Sequence, residues 1–195
     1  MPPEFVEYII SITSRDRIGI VYEISTALAA LKGNIADSHQ SVMGGYYTMI
    51  MRTSFPGTCT RKEIERKLAE VDAKSPTPLN ILIQSVEGEL PEKASAENRY
   101  VITASGEDQI GFVARVASFC VTYQINILDL STTLKDSEFV MMLEVDLSRC
   151  PSIEEVRKAL AEFGELQKMK IMLQHYDIFK AVNEIGLPLR ANRKE

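Results

Sequence analysis

The sequence predicts an α+β protein built from two copies of one βαββαβ unit. Three observations carry that prediction. A short motif, D-x-I-G-[IF]-V, occurs at residues 16–21 and again at 108–113. A second motif, N-I-x-D, follows each copy at the same interval, at 34–37 and 126–129. Around both copies, runs rich in β-branched and aromatic residues and stretches with apolar residues at three- and four-residue spacing follow one another in the same order, strand and helix.

The offset is 92 residues, with no gap between the motifs. It pairs Asp16 with Asp108, Ile18 with Ile110, Gly19 with Gly111 and Val21 with Val113. It goes on to pair Asn34 with Asn126, Ile35 with Ile127, Asp37 with Asp129 and Met49 with Met141. A repeat of this length is two structural units of one design, each too large for a solenoid repeat.

Each unit opens with a β-branched, aromatic-rich run, FVEYIISIT (5–13) and RYVITASG (99–106), ended by turn residues. A helix follows, with Ile18, Val21, Ile24, Leu28 and Leu31 as its apolar face in the first copy. Ile110, Val113, Val116 and Cys120 do the same in the second. NIADSHQSVM and INILDLSTTL read as strands, turned by GGY (44–46) and KDSE (135–138) into YTMIMRTSF and FVMMLEVDL. The methionines Met49, Met51, Met141 and Met142 on these third strands read as core. The second helices, 60–74 and 152–164, begin at Thr60 and Ser152, with Glu63 and Glu155 three residues on as capping boxes. LNILIQSV (79–86) and KMKIMLQHY (168–176) close the units. The order is the split βαβ, ferredoxin-like arrangement, a four-stranded antiparallel sheet with two helices on one face. The expected boundaries are a first domain at 1–87, a polar linker at 88–97 and a second domain at 98–176. A tail at 177–195 follows, with a short helix up to Gly186 and a basic end at Arg190, Arg193 and Lys194.

The net charge of −5 and pI near 5.2 lack the basic footprint of direct nucleic-acid binding. Cys59, Cys120 and Cys150 are odd in number, with no C-x-x-C spacing, which argues against a disulfide framework or a zinc site. No run approaches the roughly 20 apolar residues of a membrane-spanning helix. The expectation is a cytoplasmic protein with no membrane partner. His39 and His175 lie far apart in the sequence, without paired acids at ligand spacing, and do not make a metal site. No nucleophile elbow, P-loop or dinucleotide fingerprint is present, so neither a catalytic residue nor a cofactor is assigned.

Two βαββαβ units that open on D-x-I-G-[IF]-V and enter their second strands on N-I-x-D resemble a pair of ACT domains, over roughly 4–86 and 98–176. A chain of two such domains is similar to the glycine cleavage system transcriptional repressor group. The resemblance implies a regulatory module that binds a small amino acid or related metabolite where two domains pair, within a chain or in a homodimer. It implies a protein partner, a regulator or an enzyme, in glycine and one-carbon metabolism. Many members have proline where Ile18 and Ile110 stand, and Gly33 of the first copy is Ile125 in the second.

The ligand-binding residues implied are Arg15, Asp16, Ile18, Gly19, Asn34 and Ile35 in the first copy. In the second they are Asp108, Ile110, Gly111, Asn126 and Ile127. The residue chemistry is compatible with this: a loop that ends at a helix N-terminus presents unpaired N–H groups to a carboxylate. An asparagine amide can both donate and accept. A plainer reading covers the same residues. Asp16 and Asp108 can be helix N-caps, Asn34 the left-handed residue that ends a helix, and the glycines a means of close packing. A ligand-independent interaction module, or an accessory subunit of an enzyme, is the alternative function.

Overall fold

The structure, a computed structural model, describes residues 4–88, 95–135 and 138–185. Most of the expected linker, the tip of the second hairpin and the basic end of the tail lie outside those residues. The chain divides into two units, Met1–Pro91 and Glu92–Glu195.

In the first unit, strand β1 (Phe5–Arg15) leads into helix α1 (Ile20–Ala30), then β2 (Asn34–Met43), β3 (Tyr46–Pro56), α2 (Arg61–Asp72) and β4 (Asn80–Ser85). In the second, a 3-10 turn (Ala96–Asn98) precedes β5 (Arg99–Glu107), then come α3 (Phe112–Thr122), β6 (Asn126–Lys135), β7 (Glu138–Asp146), α4 (Ile153–Gln167) and β8 (Lys170–His175). Helix α5 (Tyr176–Ile185) follows β8 without a break. The sheets are antiparallel, in the orders β2-β3-β1-β4 and β6-β7-β5-β8. This is the split βαβ topology expected for each copy. The hairpin strand β2 or β6 forms one edge, and β4 or β8 the other.

Alternation places one face of each sheet in a core. Tyr8, Ile10 and Ile12 of β1 and Tyr47, Met49, Met51 and Phe55 of β3 pack with Ile20, Ile24, Leu28, Ile64 and Leu68 of the helices. Ile102, Ala104, Met141, Leu143 and Val145 pack with Phe112, Val116, Phe119, Cys120, Val156 and Leu160. The same alternation puts Met142 on the outer face, where it is exposed, in contrast to its neighbour Met141.

The first helices start later than their periodicity suggests. Each begins after a glycine with positive φ, 96° at Gly19 and 85° at Gly111. Ile18 and Ile110 therefore stand outside the helices and are fully exposed, at 101% and 103%. The buried stripe of α1 is Ile20, Ile24, Ala27 and Leu28, and that of α3 is Phe112, Val116, Phe119 and Cys120. Of the two expected capping boxes, that of α2 is complete, with Thr60 and Glu63 bonded reciprocally. At α4 only the Ser152 side chain accepts from the Glu155 N–H.

Candidate functional site

The loop between β1 and α1 sits beside the β2–β3 hairpin. The Asp16 N–H donates to Gly45 O at 3.0 Å, and the Arg15 guanidinium lies 4.4 Å from the centre of the Tyr46 ring. Gly19 is the N-cap of α1, so Asp16 is not, and no side chain caps that helix. Gly111 caps α3 in the same way in place of Asp108. Only a residue without a Cβ turns there at little cost. Both helices thus present an uncapped first turn behind a left-handed glycine, a point of positive partial charge.

A guanidinium lies next to each turn, but it comes from a different position in the two copies. In the first, Arg17 donates to Ile18 O (3.3 Å), to both carboxylate oxygens of Glu23 (2.8 and 2.5 Å) and to Ser75 Oγ (2.8 Å). The mutual hydrogen bonds raise the Arg17 pKa and lower that of Glu23. In the second copy the equivalent of Arg17 is Gln109 and that of Glu23 is Arg115. Arg115 reaches back to Ile110 O (3.3 Å) and Gln109 Oε1 (3.4 Å). The first loop is braced by an ion pair with a link to the end of α2. The second has longer and weaker contacts.

Asn34 and Asn126 begin β2 and β6 and do not end the helices. The left-handed residues there are Lys32 (φ 58°) and Gln124 (φ 55°). Gly33 N–H donates to Leu28 O and Lys32 N–H to Ala29 O, both at 2.9 Å, which is the Schellman closure. Ile125 and Gln124 repeat it with Cys120 O and Val121 O. Just beyond, each strand carries a bulge, between Ile35 and Asp37 and between Ile127 and Asp129. The unmatched third residue of N-I-x-D is the bulged one. The motif's spacing is thus the spacing of a β-bulge, which inserts one residue and increases the local twist.

The two expected clusters do not meet within a unit. Arg15, Asp16, Ile18 and Gly19 stand at one end of α1, and Asn34 and Ile35 at the other. An 11-residue helix separates them by about 16 Å at 1.5 Å per residue. Asp108, Ile110 and Gly111 are separated from Asn126 and Ile127 by the equally long α3. One small ligand touching both clusters would have to take each from a different domain.

Sequence reasoning missed an open groove of about 420 Å³ between α1 and α2. Ala27, Ala30 and Val71 line it, with Tyr22, Lys67 and Lys74. The matching groove in the second unit, about 340 Å³, is lined by Phe119, Tyr123 and Phe163, whose rings pack at 4.6 and 5.2 Å. Two alanines facing the second helix were the available signal. Among the described residues no cluster of His, Cys, Asp and Glu could hold a metal ion. No described helix is long and apolar enough to cross a membrane.

A duplicated βαββαβ unit with a glycine-started first helix and a bulged edge strand in each copy defines the class of fold. The chain belongs to the ACT domain family, whose model matches residues 7–75 and 98–174. It is 38% identical to a UPF0237 protein of Listeria monocytogenes over 88 residues, which are 45% of this chain and 99% of the relative. It is 34% identical to a UPF0237 protein of Methanocaldococcus jannaschii over 89 residues, again 99% of the relative. These relatives have the length of one unit. A crystal structure of an unknown protein from Galdieria sulphuraria shares the two-unit fold at a TM-score of 0.70 and 24% identity, covering 88% of this chain and 98% of that one. A structure described as a candidate glycine cleavage system transcriptional repressor has a TM-score of 0.69 and 16% identity, with the same coverage.

Proposed function

We propose that this chain is a non-catalytic cytoplasmic regulator that binds a small amino acid where ACT domains pair and modulates a protein partner. The observation that carries the reading is the uncapped helix N-terminus behind a left-handed glycine, kept in both copies. It offers backbone N–H groups and a positive partial charge to a carboxylate. The asparagine and bulge at the far end of the helix complete a site only when a second domain supplies them. Ligand binding then favours the paired state by its differential affinity for that state. The shared fold with the candidate glycine cleavage repressor supports a regulatory reading, which makes glycine the first ligand to test and a transcription regulator or a metabolic enzyme the partner to seek. The acidic net charge supports contact with DNA through that partner and not directly.

Thermal-shift and calorimetric measurements with the twenty amino acids test the reading on folded, ligand-free protein. At least one amino acid raises the melting temperature, and Gly19→Ala or Gly111→Ala removes the response of its own copy. No stabilisation by any amino acid overturns it. The fully exposed Ile18 and Ile110 favour a second reading, a protein-contact module or enzyme subunit that needs no ligand. Partner capture indifferent to every amino acid supports that reading over sensing.

A further inference from the structure

Tyr47 of β3 is 3% exposed, and it shares its core cluster with Ile20, the first residue of α1. It pairs across the sheet with Ser14, two residues before Asp16 of the β1–α1 loop. Its hydroxyl has two acceptors, Met49 Sδ at 2.9 Å and Gln40 Oε1 at 3.4 Å. Neither is strong. A phenol has one proton to give, a thioether accepts weakly, and 3.4 Å is long for a hydroxyl donor. Burial and, after it, the Asp16 carboxylate push the Tyr47 pKa up, so the group stays a neutral donor.

The second unit has no such hydroxyl. Phe139 stands at the position of Tyr47, Phe112 at that of Ile20 and Thr132 at that of Gln40, while Met49 is kept as Met141. The rings of Phe112 and Phe139 pack at 4.9 Å. The same fold therefore closes over this spot with apolar groups alone. A buried hydroxyl without a strong acceptor costs the folded state free energy. The fold of the second unit shows no structural need for it, and such a group calls for another role.

We propose that the Tyr47 hydroxyl is a specificity-determining group of the first unit's amino-acid site and donates its hydrogen bond to the ligand's carboxylate. The first turn of α1 supplies backbone N–H groups and a positive partial charge. Tyr47 adds one directed donor from the sheet beneath. Gln40 is exposed on the edge strand, so its amide turns out to solvent as the carboxylate arrives. The hydroxyl then exchanges a weak neutral acceptor for a charged one, the stronger kind of bond. The second unit offers its helix turn without this donor, so the first unit binds the amino acid more tightly.

This inference rests on the reading of the chain as an amino-acid sensor. Calorimetric titration with each of the twenty amino acids, on the full chain carrying Gly111→Ala to silence the second unit, reads the first unit alone. Adding Tyr47→Phe, which copies the residue of the second unit, weakens binding of the responding amino acid roughly tenfold or more. The melting temperature of the ligand-free protein stays the same or rises, because the lost hydroxyl had no strong acceptor. That pair of results supports the proposal. Binding unchanged by Tyr47→Phe overturns it and leaves sensing intact. Weaker binding with a lower ligand-free melting temperature makes the hydroxyl a structural group and overturns it too. No binding to the Gly111→Ala protein also overturns it, and sensing itself falls only if the unsubstituted chain is silent as well.

Discussion

At the scale of single residues the two copies differ by compensated exchanges. A Cβ built on Gly33 would come within 2.3 Å of Phe55 Cε1 and 2.9 Å of Leu28 O. In the second copy the same two positions are Ile125 and Leu147, both buried. A large side chain on one partner is met by a small one on the other, so the Gly33 departure seen in the sequence is a packing choice. Gly33→Ala should lower stability by about 1–3 kcal/mol through overpacking. Phe55→Leu alone should cost about 1–3 kcal/mol by leaving a cavity. The double variant should lose clearly less than the sum, as residues in contact couple. Urea denaturation of the four proteins measures this, and strict additivity would refute the exchange. At the equivalent positions Ser14 and Gly106, the buried Ser14 hydroxyl bonds Thr77 Oγ1 and Pro78 O, and the glycine of the second copy has no side chain to do so. The shared residues were legible because they recur at a constant offset. The exchanges were not, because each needs knowledge of which distant residue fills the space.

At the scale of elements, strands and amphipathic helices were legible and their ends less so. β-branched and aromatic runs ended by turn residues marked the strands, and the alternating burial of β1, β3 and β7 follows from a sheet with one covered face. The first helices were placed too early because Ile18 and Ile110 continue the apolar spacing, while the left-handed glycine that follows stops the helix from starting there. The candidate loops were visible as motifs. Their separation by a whole helix was implicit in the element order, but the order alone does not say that a site needs two domains. The helix ends give two predictions. Lys32, Gln124 and Lys168 occupy the left-handed position of Schellman closures, where a Cβ is strained. Lys168→Gly should raise stability by about 0.5–1 kcal/mol, the typical gain of removing that strain. An unchanged or lower denaturation midpoint would contradict this. At the start of α2, hydrogen bonds from the Thr60 N–H and hydroxyl hold the Glu63 carboxyl below its ordinary 4.5. A carboxyl depressed in the folded state stabilises above its unfolded pKa and loses that contribution as pH falls through the lower folded value. The acid limb of the stability profile below about pH 4.5 should therefore flatten in Glu63→Gln, and a profile parallel to wild type would exclude the cap as its source.

At the scale of the whole molecule, the two cores share no residue. Each unit closes its own four-stranded sheet and covers it with its own two helices. The UPF0237 relatives match one unit over 99% of their length, so nature already uses such a unit alone. The second unit carries an addition. Tyr176 at the start of α5 lies 4.2 Å below the Arg99 guanidinium, which is also paired with Glu144 of β7. Val101 of β5 is buried although it alternates onto the outer face of the sheet, the face to which α5 returns. A segment of residues 1–91 should therefore fold cooperatively by itself, with a single melting transition and native-like circular dichroism. In the full chain, Leu143→Ala should remove about 2–5 kcal/mol from the second unit, the usual cost of such a core truncation. The transition of the first unit should stay where it is in the isolated segment. Differential scanning calorimetry separates the two events. A segment that is unfolded on its own, or a first transition that moves with Leu143→Ala, would mean that the units depend on each other for stability. The paired state would then be a condition of folding and could not also serve as the equilibrium that a ligand shifts.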